Sequence, residues 1–157
     1  MKKAALLAPM ASVHERFNRV NIEVLRNMGC EVHLIGNFSL RSSDRKWKEK
    51  MECQGIKIHQ IAFARASLRK NLKIVPELKK LLQDEAFDLL HVHTETGGIL
   101  ARLSAGKKKS TRMVYTPHGM SFYKGSSLKS QILYRPAEWW ICRGMDANLG
   151  LNREETE

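Results

Sequence analysis

Short apolar runs of strand character alternate with segments of helical period along nearly the whole chain, and this alternation most narrows the choice of folds. Ala4–Ala8 is an uninterrupted apolar run bounded by Pro9, the pattern of a strand buried on both faces. Phe17, Val20, Val24, Leu25 and Met28 then repeat at helical spacing, and Gly29 follows as a helix-ending glycine. Cys30–Gly36 predicts a second strand and Trp47–Cys53 a short helix; Gly55–Ile61 predicts a third strand, its partial alternation placing it toward an edge. Leu72, Val75, Leu78 and Leu82 mark another amphipathic helix, with Pro76 in its first turn, where a missing N–H costs little. Phe87–His93 reads as a fourth strand, and Gly97 and Gly98 open an apolar helix through Leu103. Lys107–Lys109 is a turn, Thr111–Thr116 a fifth strand, Leu128–Cys142 a helix kinked or restarted at Pro136, and Met145–Leu151 a sixth strand. Asn152 and Glu155 have the spacing of an N-cap pair for a further helix. The fold expected is α/β, a Rossmann-like parallel sheet with helices on both faces. No internal repeat, low-complexity segment or linker divides residues 1–157.

Right-handed crossovers in such a sheet bring the loops that follow the strands to one edge, where ligands of open α/β sheets bind. Three polar clusters fall there. Ser12, His14, Arg16, Phe17 and Asn18 follow the first strand. His91, His93, Thr94, Glu95, Gly97 and Gly98 end or follow the fourth. Thr116, His118, Gly119, Phe122 and Tyr123 end or follow the fifth.

Composition excludes several classes. Apolar residues are 43% of the chain, too many for a disordered segment. No apolar run approaches the roughly 18 residues of a membrane helix. Cys30, Cys53 and Cys142 are scattered, with neither zinc spacing nor a disulfide framework, which suits a reducing cytoplasm. The net charge of +11, from 27 Lys and Arg against 16 Asp and Glu, favours anionic partners. A nucleic-acid-binding module is not expected, because no recognition helix and no aromatics interleaved on a basic strand surface are present. A dinucleotide-binding dehydrogenase is not expected either, since no G-x-G-x-x-G follows the first strand.

The segments Ser12-Val13-His14-Glu15-Arg16-Phe17-Asn18, Phe87-Asp88-Leu89-Leu90-His91-Val92-His93-Thr94 and Tyr115-Thr116-Pro117-His118-Gly119 resemble the N-terminal domain of family-4 glycosyltransferases, closest to the bacterial polysaccharide-synthesis members. Phe122-Tyr123-Lys124-Gly125 and Asp146-Ala147-Asn148-Leu149-Gly150-Leu151-Asn152 fit the same pattern. The resemblance implies the acceptor-side half of a GT-B architecture, with the donor-binding domain outside this chain. It implies a retaining transfer of hexose from a nucleotide-sugar to a glycan or lipid-linked acceptor, with no transfer by this half alone and no cofactor or bound metal. By the same resemblance, His118 reaches the donor sugar and acts as the catalytic residue, beside Gly119. Where the family often has paired glycines after strand one, this sequence has Met10-Ala11-Ser12, so phosphate contact by that loop is not expected.

The remaining assignments have competing readings. His14 and Asn18 either contact the acceptor across the cleft or cap the first helix. Thr94 and Glu95 are acceptor contacts, although Glu95 also suits the cap of the following helix. His91 and His93 share a strand face and can in principle share a metal; structural histidines are the expected outcome. Glu15/Glu23 and Glu77/Glu85 imitate a glutamate spacing of the family's other domain, and a helical charge pattern explains both. Arg65, Arg69, Lys70 and Lys73, continued by Lys79 and Lys80 and flanked by Phe63, Leu68, Leu72 and Ile74, form either a solvated face or a contact with anionic lipid. The expected location is therefore cytoplasmic, extending to the inner face of the membrane. The alternative function is a non-catalytic subunit or membrane adapter that pairs with a separate donor-binding chain.

Overall fold

The computed structural model describes residues 1–65, 67–106, 111–118 and 128–150, the side chains of residues 129–131 and 133 apart. The chain runs β1 (Lys3–Met10), α1 (Ala11–Phe17), α2 (Arg19–Asn27), β2 (Glu31–Asn37), α3 (Ser42–Cys53), β3 (Lys57–Gln60), α4 (Leu68–Leu72), α5 (Val75–Glu85), β4 (Leu89–His93), α6 (Glu95–Ala105), β5 (Arg112–Thr116), α7 (Leu128–Arg143) and β6 (Ala147–Asn148). The strands form one parallel sheet in the order β3-β2-β1-β4-β5-β6. The strand order reverses between β1 and β4, which opens a crevice at the carboxyl ends of those two strands.

Alternate residues of the central strands feed two cores. Ala4 and Leu6 join Ile22, Leu25, Leu34, Trp47 and Met51 on one face. Ala5 and Leu7 join Ile35, Leu78, Leu90, Leu100 and Ile141 on the other. Burial on both sides explains why β1 reads as a continuous apolar run rather than an alternating one.

Several expectations change. The first strand runs through Pro9 to Met10, and its pairing with β2 shifts register between Leu7 and Met10, where an irregularity accommodates the missing N–H. The first helix divides at Asn18, whose backbone (φ −100°, ψ 1°) is not helical. Its buried stripe is Asn18, Ile22 and Leu25, while Phe17, Val20, Val24 and Met28 are exposed. A fully buried asparagine anchors the turn and rotates the aliphatic stripe toward solvent. The same happens in α4, where Asn71 is buried and Leu72 exposed. Helix α3 starts at Ser42, well before Trp47, because Asp44 Oδ2 accepts from the Arg41 backbone N–H at 3.1 Å. Helix α7 continues through Pro136 without a break, and Pro136 and Ile132 are both exposed, so the carbonyl that loses its partner faces solvent rather than the core. Strand β6 keeps only Ala147 and Asn148. Edge strand β3 and the early Pro76 of α5 stand as read from the sequence. Lys107–Lys109, Gly119, the Phe122–Gly125 segment and the Asn152/Glu155 pair lie outside the described residues.

Candidate functional site

The site builds outward from β4. Its period of two points His91 and His93 to one face of the sheet, while Leu90 and Val92 pack into the opposite core. The two rings lie 4.1 Å apart between centroids. His91 Nε2 pairs with Thr116 Oγ1 at 2.9 Å on the neighbouring strand. His93 Nδ1 pairs with His118 Nε2 at 2.7 Å. Phe17 then lies against His118, ring centroids 4.4 Å apart, and is itself half exposed. A row of rings thus runs from the sheet interior to the carboxyl edge: His91, His93, His118, Phe17.

Burial keeps the inner rings neutral. It pushes His91 down to about 4, aided by the charge of His118, and holds His93 far below the ordinary histidine range. Neutral rings accept as well as donate, so each can serve a hydroxyl partner at either nitrogen. His93 Nε2 is buried without a hydrogen-bond partner among the described residues. Such an atom calls for a water or a ligand atom.

Two backbone outliers frame the row. His118 has φ 61° and Thr94 has φ 70°. Positive φ is costly for any side chain and most so for a β-branched one; such strain concentrates at ligand sites. The surrounding bonds hold Thr94 there. Its backbone N–H donates to Thr116 O at 3.1 Å, and its Oγ1 accepts from the Gly97 N–H at 3.3 Å, so Thr94 caps α6. Glu95 therefore is not the cap; it lies in the first turn. Gly97 and Gly98 let this helix end press on the sheet. A Cβ on Gly98 would meet Ile141 at 2.8 Å and Tyr115 at 3.1 Å.

A pocket of about 190 Å³ opens at the switch between β1 and β4, lined by Pro9, Met10, Val13, Ala64, Arg65, Thr94 and Thr96. Arg65 is exposed and also lines this pocket, so the basic surface expected to face lipid extends to the ligand edge. Asn71 holds this turn, its Oδ1 accepting from the Ala64 N–H at 2.7 Å and its Nδ2 donating to Ala64 O at 3.0 Å. Arg69, Lys70 and Lys73 stay exposed beside Leu68 and Leu72. A larger cleft of about 580 Å³ lies between α2 and α3, lined by Arg19, Arg26, Trp47 and Lys50 among others. None of its lining residues belongs to the row of rings at the strand ends, so size does not make it the site.

His14 and Asn18 are corrected from acceptor contacts to positioning residues, because both are fully buried. Asn18 Nδ2 donates to His14 Nδ1 at 3.0 Å, which leaves His14 Nε2–H to donate to Ile35 O at 3.1 Å. Asn18 Oδ1 accepts from Asn21 Nδ2 at 2.9 Å. The His14 ring stacks beside Phe38 and Trp47, and burial pushes it down to about 4 against the carbonyl of Ile35. The pair flanks Phe17 in sequence and sets where that ring emerges. Of the glutamate pairs, Glu15 reaches Arg19 at 3.6 Å, Glu23 and Glu77 are exposed, and Glu85 meets Lys3 at 2.8 Å. Helix α1 begins at Ala11 directly after Met10, without glycines at the junction.

The six-stranded parallel sheet and its helices define a Rossmann-like domain of the kind found in GT-B proteins. Acinetobacter baumannii MurG superposes with a TM-score of 0.64 at 15% identity over 99% of this chain and 42% of its own. A UDP-N-acetylglucosamine 2-epimerase superposes at 0.71 and 12% identity over 98% and 43%. The glycosyl transferase 4-like family model matches residues 3–148, and the chain belongs to that family. It is 31% identical over 99% of its length to a Bacillus subtilis (strain 168) protein named for a glycosyltransferase, EpsD. It is 27% identical over 96% of its length to the Escherichia coli UDP-Gal:alpha-D-GlcNAc-diphosphoundecaprenol alpha-1,3-galactosyltransferase. The chain spans 39% and 38% of these two relatives.

Proposed function

We propose that this chain is the acceptor-binding domain of a retaining glycosyltransferase that moves a hexose from a nucleotide-sugar to a glycan or lipid-linked acceptor in cell-surface polysaccharide synthesis. The observation that carries the reading is His118, held at the carboxyl edge in a positive-φ turn by His93 and backed by Phe17. The name of the E. coli relative, with its nucleotide-sugar donor, lipid-diphosphate acceptor and α linkage, supports it.

In this reading the donor sugar lies across the edge, and the His118 ring hydrogen-bonds one of its hydroxyls. Phe17 offers an apolar wall to a sugar face. Thr94, Glu95 and Gly119 meet the acceptor. Arg65, the cation of the small pocket, faces the acceptor's phosphate, since an arginine fork matches phosphate oxygens. The leaving diphosphate is stabilised by groups of a donor-binding domain, because in such chemistry the charge develops there. A sheet of six strands supplies one wall of a two-domain cleft, so the chain alone transfers nothing. Lipid-borne acceptors bring the enzyme to a membrane surface, and the exposed Leu68, Arg69, Lys70, Leu72 and Lys73 suit an anionic leaflet.

Equilibrium binding to a short-chain lipid diphosphate sugar tests this reading. The chain binds it, Arg65→Glu weakens binding at least tenfold, and inorganic diphosphate competes weakly. Equal affinity in the folded Arg65→Glu variant would contradict the assignment.

A further inference from the structure

We propose that His33, His59 and Glu85 form a zinc site, with Glu31 as the carboxylate that orients His33. These groups lie on the opposite face of the sheet from the His91–His93–His118 row, where they share the side of Ile35 and Phe87. One ligand atom from each of the three lies within 4.8 Å of the other two.

The arrangement has the parts of a metal centre. His33 is fully buried, so its ring is fixed. Its Nε2 lies 2.7 Å from Glu31 Oε1, and Glu31 is held in turn by Lys57 Nζ at 3.0 Å. A carboxylate on the far nitrogen is what ligating histidines characteristically have: it fixes the tautomer and turns the other lone pair inward. That lone pair, on Nδ1, lies 2.8 Å from His59 Nε2, with the two rings nearly parallel at 4°. In the metal-free chain the His59 Nε2–H donates to His33 Nδ1. When zinc enters, His59 moves its proton to Nδ1, both facing nitrogens present lone pairs, and no proton leaves the site. The two nitrogens must part to roughly 3.3 Å, the separation of tetrahedral ligands each about 2.0 Å from zinc.

Glu85 supplies the third ligand. Lys3 Nζ occupies its Oε2 at 2.8 Å, which leaves Oε1. Glu85 and His59 are only partly buried, so the fourth position faces solvent and takes water, and the ion has a path in. Two imidazoles and one carboxylate suit zinc and exclude magnesium or calcium as the preferred ion. Lys3 and Lys57 are the cations nearby, and they moderate the affinity.

Metal-stripped chain titrated with Zn²⁺ against a chromogenic chelator tests the proposal. The chain is expected to take up one equivalent with no comparable response to Mg²⁺, and Co²⁺ in its place is expected to give the visible absorption of a tetrahedral site. His59→Gln, on an edge strand, keeps the fold and weakens Zn²⁺ binding at least tenfold. Glu31→Gln weakens it about 10–100-fold through the orienting bond. Lys3→Met strengthens it. No uptake by the folded chain, or uptake unchanged in His59→Gln and Glu31→Gln, would overturn the site and leave a buried hydrogen-bond network in its place.

Discussion

His93 Nδ1 stands 2.7 Å from His118 Nε2, and this contact ties the strained turn after β5 to the buried end of β4. His118 is thereby a preorganised group rather than a free loop side chain. Removing it in a protein that also carries the donor-binding domain should lower turnover on the order of 10²-fold, the scale of one lost transition-state contact. His93→Gln should lower kcat less and leave KM nearly unchanged, because it loosens His118 without touching substrate. Steady-state kinetics of the two variants checks both; turnover unaffected by His118→Ala would remove it from the site.

Acid should unfold this chain early. His14 and His91 are pushed down to about 4 in the fold, against 6.5 for free histidine. The unfolded chain therefore binds more protons below pH 6.5, so stability rises with pH between about 4 and 6.5 and is lost as pH falls through that window. Among the described residues no charged side chain pairs with His14, whose partners are Ile35 O and Asn18; His91 faces His93 and His118. Each ring should cost about 1.5 kcal/mol between pH 6.5 and pH 5. Denaturant midpoints at the two pH values check the sign, and a His14→Gln variant should show a shallower slope.

Gly36 is expected to tolerate no side chain. A Cβ there would stand 2.5 Å from the Ala8 backbone oxygen and 3.3 Å from His14 Nε2. The oxygen belongs to the central strand and cannot retreat. Gly36→Ala should lower stability by about 1–3 kcal/mol, the range of core overpacking. Chemical denaturation measures it, and a loss below a few tenths would mean that the β1–α1 junction is soft.

The exposed basic surface of α4 should bind vesicles containing anionic lipid, and salt should weaken that binding as it screens exposed charge. Reversing Arg69, Lys70 and Lys73 to Glu should abolish it. Vesicle sedimentation reads this directly; equal binding to neutral vesicles would leave the cations a solvated face.

The alternation of apolar runs made the parallel sheet legible, and strand parity alone placed His91 and His93 together. The helix faces were harder. Val20, Val24 and Met28 have ideal spacing, yet the turn is anchored by buried Asn18, whose partners His14 and Asn21 only the folded chain brings together. Hydrophobic period cannot weigh a satisfied buried amide against an aliphatic side chain. Arg65 reads as surface and is exposed, but its place in the pocket lining is not legible in the sequence, because it follows from the Asn71 clamp on Ala64. The contact of Phe17 with His118 joins residues far apart in sequence and has no local signature. His33 and His59 sit on neighbouring strands in a register that the sequence does not announce.

The most direct measurement is sugar transfer. Purified chain, a set of labelled nucleotide-hexoses and a lipid-linked acceptor extract are incubated with and without a separately produced donor-binding domain from the same family. The expected result is no labelled lipid with the chain alone, labelled lipid when both domains are present, and loss of that product with His118→Ala. Turnover by the chain alone, in protein free of any partner, would contradict its assignment as an acceptor-binding domain.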